Sequence, residues 1–195
     1  MQGPSLWVKT EVISKLMSSA KPGKYLRNNL GQSCLASPLN APLKAWALVP
    51  AFAVIAVSVG FSAGLFQPGW LDSAITPLLP FILFVFPSLV EEAFFRGVLI
   101  PRNILESGRA KAVWSLVIST LVFVAWHPFN ALAFNPTAIP LFLDPWFLVI
   151  VGAMGLTCGY AYMLSRSIWV PVIIHWAAVT VWVLFLGGRN LVLEL

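Results

Sequence analysis

Two long stretches of this chain, residues 45–71 and 112–143, contain no Asp, Glu, Lys or Arg. A backbone in hydrocarbon has no water to bond its N–H and C=O groups, so it must satisfy them within a helix or a closed barrel. Transmembrane strands alternate in polarity over about ten residues, and runs this long and continuous exclude that pattern. Only 10% of the 195 residues are charged, and mean hydropathy is +0.86. An ordinary soluble domain carries about a quarter charged residues. The expected fold is therefore all-α, a polytopic transmembrane helix bundle. The polar breaks divide it into about five spans, near 43–66, 75–100, 112 onward, 146–165 and 168–187. Each is close to the ~20 residues that cross a hydrocarbon core. Pro77, Pro80 and Pro87 predict a kink or an irregular start in the second span. The third is expected to break at His127-Pro128 and again around Asn135-Pro136, leaving a hydrophobic loop.

The basic residues lie in the flanks of these spans. Lys9, Lys15, Lys21, Lys24, Arg27 and Lys44 precede the first; Arg102, Arg109 and Lys111 follow the second; Arg166 follows the fourth. Five spans put all of these on one side and Arg189 on the other. The positive-inside rule then sets the N-terminus in the cytoplasm. The net charge of +5 is thus a topology signal, and no nucleic-acid partner is expected. The chain divides into a basic cytoplasmic arm and linker (1–42), a transmembrane domain (43–187) and a short tail (188–195). Within the arm, residues 5–19 read either as a short interfacial helix or as an unstructured basic segment. Residues 20–42, with Pro22, Gly23, Gly31, Pro38 and Pro42, read as linker. Cys34 and Cys158 share no pairing or zinc-ligand spacing.

Against this background Glu91 and Glu92 stand out, side by side inside the second span. An ionised carboxylate in a bilayer costs at least ~2.5 kcal/mol, so intramembrane acids normally face a protein interior or a wet cavity where they act. Glu92 and Arg96 are four residues apart and share one helix face. Glu91 lies about 100° around the helix, free to accept a proton from water. The chain's two histidines, His127 and His175, also fall in apolar stretches. Either imidazole alone reads more simply as an interhelical hydrogen-bonding group. Together with an acid pair they suggest a site. Glu91 and His175 each lie nine residues, roughly 13 Å, from the cytoplasmic end of their spans. His127 lies sixteen residues, roughly 24 Å, past Lys111. It reaches the same level only if the start of its helix stands above the membrane and the helix continues past Pro128 toward Phe134. Trp126 and Trp176, beside the histidines, read as packing residues. Gly152, Gly155 and Gly159 offer a small-residue face for close helix contact.

Glu91-Glu92-x-x-x-Arg96, then Phe123-x-x-x-His127, then His175 in a late span, resembles the CPBP family over roughly residues 75–187. That family comprises type II CAAX prenyl endopeptidases, bacteriocin-processing and immunity proteins and other glutamic intramembrane proteases. The resemblance implies an endopeptidase of a bacterial inner membrane or its equivalent. It would cleave a membrane-associated or lipidated protein with no covalent intermediate. By the same resemblance Glu91 activates the hydrolytic water, His127 helps hold it, and His175 stabilises the oxyanion. Glu92, Arg96 and Phe123 play supporting parts. The chain departs from the pattern at Val179, where relatives often carry Asn or Asp; His175 then acts alone, or Asn130 or a backbone N–H helps it.

No cofactor or metal is expected. A zinc hydrolase is the enzymatic alternative, since two His and one Glu form a known catalytic zinc set. The His-Glu-x-x-His motif is absent, however. A non-catalytic scaffold or immunity protein that keeps the fold is the alternative of another class. A proton-coupled transporter fits poorly with five spans lacking repeat symmetry. Beyond lipid and substrate, oligomeric state is open.

Overall fold

The computed structural model describes residues 22–188. Over these it is helical, with no strand among the described residues. A first helix, α1, covers residues 22–35 and passes through a π-helical turn at Arg27–Gly31. Four helices are long and apolar enough to cross a membrane: α2 (Leu43–Ser62), α3 (Thr76–Val98), α4 (Arg109–Ala133) and α5 (Pro145–Ser165). A fifth apolar helix, α6 (Trp169–Phe185), has 17 residues, about 25 Å at 1.5 Å per residue. The postulated interfacial helix at 5–19, and Arg189, lie outside the described residues.

Helix α5 is the axis of the bundle, packed by α2, α4 and α6. Its buried residues, among them Ile150, Met154, Cys158, Ala161 and Tyr162, form a broad inward face, and Trp146, Val149 and Leu156 stay exposed on the other side. Asp144 caps its start, accepting from Trp146 N–H at 2.8 Å and Phe147 N–H at 3.0 Å. Small residues let α4 approach closely. A Cβ on Gly155 would lie 2.9 Å from Thr120 Cγ2 and 3.4 Å from Phe123 Cδ1, and one on Gly159 would strike Leu116. Lipid supplies no hydrophobic drive between helices, so contact of this kind carries the association. The outward faces hold Val54, Phe61, Phe81, Ile118, Leu121 and Leu132, all exposed as a lipid-facing surface requires.

Two expectations change. Residues 22–35, read as linker, form a helix packed on the bundle, with Asn29 and Ser33 buried. Gly23 and Gly31 are accommodated there without strain: a Cβ at either would meet nothing within 4 Å. The break at His127-Pro128 does not occur, because α4 runs through Pro128 to Ala133. The chain turns instead at Phe134, whose N–H bonds Asn130 O at 2.8 Å, before Asn135-Pro136. The second span is bent, as its prolines suggested: Phe86, ahead of Pro87, has φ −134° and ψ 122°. The residue before a proline is pushed out of the helical region, which accounts for the kink.

Arg102 and Arg166 meet at one end of the bundle. Arg166 pairs with Glu106 at 2.8 Å, and Arg102 Nε donates to Arg166 O at 3.1 Å. The α3–α4 and α5–α6 connections thus meet, as five passes require.

Gly155→Val forces side-chain atoms into Thr120 and Phe123 and is expected to destabilise the bundle by about 1–3 kcal/mol. Gly152→Ala, whose Cβ would sit 3.7 Å from Val124, should leave the detergent melting midpoint unchanged.

Candidate active site

The site forms where α3, α4, α5 and α6 meet. Glu91 and Glu92 lie beyond the kink at Phe86-Pro87, in the α-helical stretch Val90–Glu92 that leads into a π-helical turn at Ala93–Val98. Such turns are often found at functional sites because they redirect side chains. Glu92 and Arg96 are fully buried, His175 is 3% exposed and Glu91 is 9% exposed. Charges at this depth have to be paired.

Arg96 Nη1 donates to Glu92 Oε1 at 3.0 Å, the i, i+4 pair expected from spacing. Arg96 Nη2 donates to Gly155 O at 3.1 Å, and its Cζ lies 4.5 Å from the centroid of the Phe123 ring. The guanidinium is thus held by a carboxylate, a carbonyl and an aromatic face. Phe123 touches the polar group through this contact. On α6, His175 Nδ1 lies 2.9 Å from the same Glu92 Oε1. Beside a carboxylate paired with arginine, that nitrogen carries the proton and donates. His175 Nε2 then faces Glu91 Oε2 across 4.0 Å. This is too long for a hydrogen bond, and Glu91 Oε2 has no protein partner.

Glu91 Oε1 is held from α4, where Trp126 Nε1–H donates to it at 3.1 Å. Helical side chains lean toward the N-terminus, so Trp126 reaches back one turn to the level of the acids. The packing role first given to Trp126 omits this bond. Its signal was its place beside His127 on the helix that faces α3. Trp176 likewise does more than pack: its Nε1–H donates to Pro80 O at 2.7 Å, tying α6 to the start of α3.

His127 is half-buried. Its Nδ1 donates to Phe123 O at 3.0 Å, and its ring packs against Phe123, Phe142 and Phe147. Both histidine rings meet the Phe123 ring edge-on, with centroids 5.1 Å away for His127 and 5.9 Å for His175. The structure therefore brings Glu91, Glu92, Arg96 and His175 into one polar group. His127 stands beside it across Phe123, with its own polar contact to the α4 backbone. The continuation of α4 through Pro128 allows this placement at the depth that spacing found hard to reconcile. Two pockets lie elsewhere, one at Gln67–Asp72 with Val183 and Gly187, the other lined by Ser58, Val59, Ser62, Ala63 and Trp146.

A family model for type II CAAX prenyl endopeptidase, Rce1-like, matches residues 73–181, more than half of the chain. The chain belongs to this family. The match contains every residue of the polar group. No curated protein and no solved structure matches the chain. The Rce1-like family, part of the CPBP group, is one of proteases, and the protein is an integral membrane member of it.

Val179, one turn beyond His175, packs in an apolar cluster with Leu79, Val183 and Leu184. Asn130 O accepts backbone bonds from Phe134 and Asn135. Among the described residues no three His, Cys, Asp or Glu side chains are grouped to hold a metal ion.

Arg96→Met leaves the Glu92 carboxylate buried without its cation. A loss of about 3–5 kcal/mol is expected, as for other broken buried pairs, measured by thermal unfolding of the purified protein. A double variant that adds Glu92→Gln should recover much of it.

Proposed function

We propose that this Rce1-like protein is a glutamic-type intramembrane endopeptidase that hydrolyses a peptide bond of a membrane-associated or lipidated protein. One observation carries this reading. Glu91 Oε2, without a protein partner, faces His175 Nε2 across 4.0 Å, and both groups are locked from behind. Trp126 holds the other oxygen of Glu91, and Glu92 holds the other nitrogen of His175. A water that bonds each at about 2.8 Å fits across such a gap.

Charge balance supports the chemistry. Arg96 neutralises Glu92, so Glu91 and His175 together are neutral when they share one proton. With that proton on His175, Glu91 is a base and His175 Nε2–H a cationic donor. Glu91 takes one proton from the water as its oxygen bonds the peptide carbonyl carbon. The C=O π pair moves to the carbonyl oxygen, which His175 Nε2–H stabilises. Glu91 then passes its proton to the leaving nitrogen, the C–N bond breaks, and a carboxylic acid and an amine are released. His127 donates its Nδ1–H to Phe123 O and so offers Nε2 as an acceptor for the second proton of the water. His175 Nε2–H, a buried, preorganised donor to the oxyanion, is worth about 3–4 kcal/mol of transition-state stabilisation.

The N-terminus is assigned to the cytoplasmic side of a bacterial inner membrane or its equivalent, where the clustered bases favour it. No metal takes part in this scheme. Apolar Val179 favours one second reading, a non-catalytic immunity or scaffold protein that keeps the fold. Cells carrying Glu91→Gln distinguish the two: a scaffold would leave their phenotype intact.

Cleavage of a quenched lipidated peptide in proteoliposomes tests the scheme. Glu91→Gln should lower kcat on the order of a thousandfold, within the 10²–10⁴ range of lost acid–base catalysis. Trp126→Phe, which keeps the ring and removes the N–H, should lower kcat by about tenfold, the equivalent of one hydrogen bond to a charged group. Full activity of Glu91→Gln would refute the scheme, and loss of activity to a strong chelator would transfer it to the zinc alternative.

A further inference from the structure

Helix α1 lies outside the family match, which begins at residue 73, yet its side chains complete the end of the helix that bears the acids. In a regular helix the N–H of residue 101 would bond the carbonyl of Gly97. Residue 101 is proline and has no N–H. Asn29 Nδ2 takes that place, donating to Gly97 O at 2.6 Å and to Ile100 O at 3.0 Å. The next carbonyl, Val98 O, receives the phenol of Tyr25 at 3.0 Å. Burial pushes the Tyr25 phenol up from its ordinary value, which keeps it a donor at neutral pH. The N–H of Arg102, which would have served Val98, donates to Asn29 Oδ1. Leu30 fills the space beside Gly97, where a Cβ would strike it.

The same helix grips the start of α6. Ile168 N–H donates to Ser33 O at 3.1 Å, Trp169 Nε1 donates to Cys34 O at 2.7 Å, and Ser167 Oγ donates to Ala36 O at 2.6 Å. Ser33 Oγ reaches both Asn29 O at 2.6 Å and the Tyr162 hydroxyl of α5 at 2.8 Å. Gly97 follows Glu92 by five residues, and His175 follows Trp169 by six. The segment therefore joins the ends of the two helices whose facing makes the Glu92–His175 bond.

We infer that Asn29 is a positioning residue. It caps α3 in place of the N–H missing at Pro101, and through that cap α1 sets the spacing of the Glu91–Glu92 segment against His175. This rests on the hydrolytic scheme above. A cap on α1 makes the N-terminal segment part of the working unit, although the family match does not include it.

The test uses the full chain. Only two histidines are present, so ¹⁵N-histidine labelling gives one Nδ1–H resonance for His175 and one for His127. Asn29→Ala is expected to shift or broaden the His175 resonance and leave that of His127 in place. It should lower kcat by about ten- to a hundredfold, the scale of a small misplacement of reacting groups, with KM within about twofold. Asn29→Ala with Pro101→Ala restores a backbone donor for Gly97 O, and should recover the His175 resonance and part of kcat. A merely structural helix would lower the melting midpoint with both kcat and the resonance unchanged, and that result overturns the inference. So does failure of Pro101→Ala to restore the resonance. The NMR readout needs no turnover, so it stands even where Glu91→Gln refutes the hydrolytic scheme.

Discussion

Glu92 is the charge on which the rest depends. It is fully buried, and one of its oxygens, Oε1, accepts both from Arg96 on its own helix and from His175 on α6. A buried carboxylate is tolerated only when paired and hydrogen-bonded. Here the pairing also fixes the relation of α3 to α6. Arg96 extends the constraint to a third and a fourth helix, donating to Gly155 O on α5 and lying over the Phe123 ring of α4. One acid thus touches or indirectly orders four helices. Surface ion pairs such as Arg166–Glu106, half-exposed on both sides, contribute little by comparison.

This network has a steric condition. The arginine reaches Gly155 O because α4 and α5 lie close, and they lie close because Gly155 and Gly159 present no Cβ to Thr120, Phe123 and Leu116. Small residues in a membrane bundle are usually discussed as aids to packing. In this protein they also expose a backbone carbonyl to a buried cation. Packing and electrostatics are therefore a single constraint at this level of the bundle.

Apolar runs made the five helices legible in sequence, because lipid punishes charge and the chain must place its charged residues at the ends. The Glu92–Arg96 pair was legible from helical spacing, and the shared depth of Glu91 and His175 from counting residues to the flanks. What spacing could not supply was any contact set by tertiary geometry. Trp126 looked like packing because nothing local reveals which neighbour an indole N–H meets. Pro128 looked like a break, but a proline in a membrane helix can be carried when the surrounding helices support it. Residues 22–35 looked like linker because their glycines and prolines are punctuation by local rules. Their order comes from groups some 70 residues away, the orphaned carbonyls before Pro101. Propensity is a weak prior beside such bonds.

The polar group lies between two apolar layers. Toward the basic end, α6 buries Ile168, Val170 and Val172, and Ile168 and Val172 pack with Ile100, Ile104 and Met163. Toward the other end, Leu79, Val183 and Leu184 form a second apolar cluster, with Val179 against them. Beyond that layer Gln67, Gly69 and Leu71 donate their N–H groups to Leu186, Phe185 and Leu184 O, sealing the end of α6. Charges in such a layer interact far more strongly than in water. Of the four polar residues Glu91 is nearest the outside, flanked along α3 by the half-exposed Val90 and Phe94. The asymmetry matters. Each acid keeps one buried oxygen, Oε2, without a protein partner; Glu92 spends its Oε1 on Arg96 and His175, whereas Glu91 spends its Oε1 on Trp126 and turns Oε2 toward His175 Nε2 across 4.0 Å. Two adjacent residues of the same type thus acquire different partners from position alone, because a rotation of about 100° per residue turns them toward different helices.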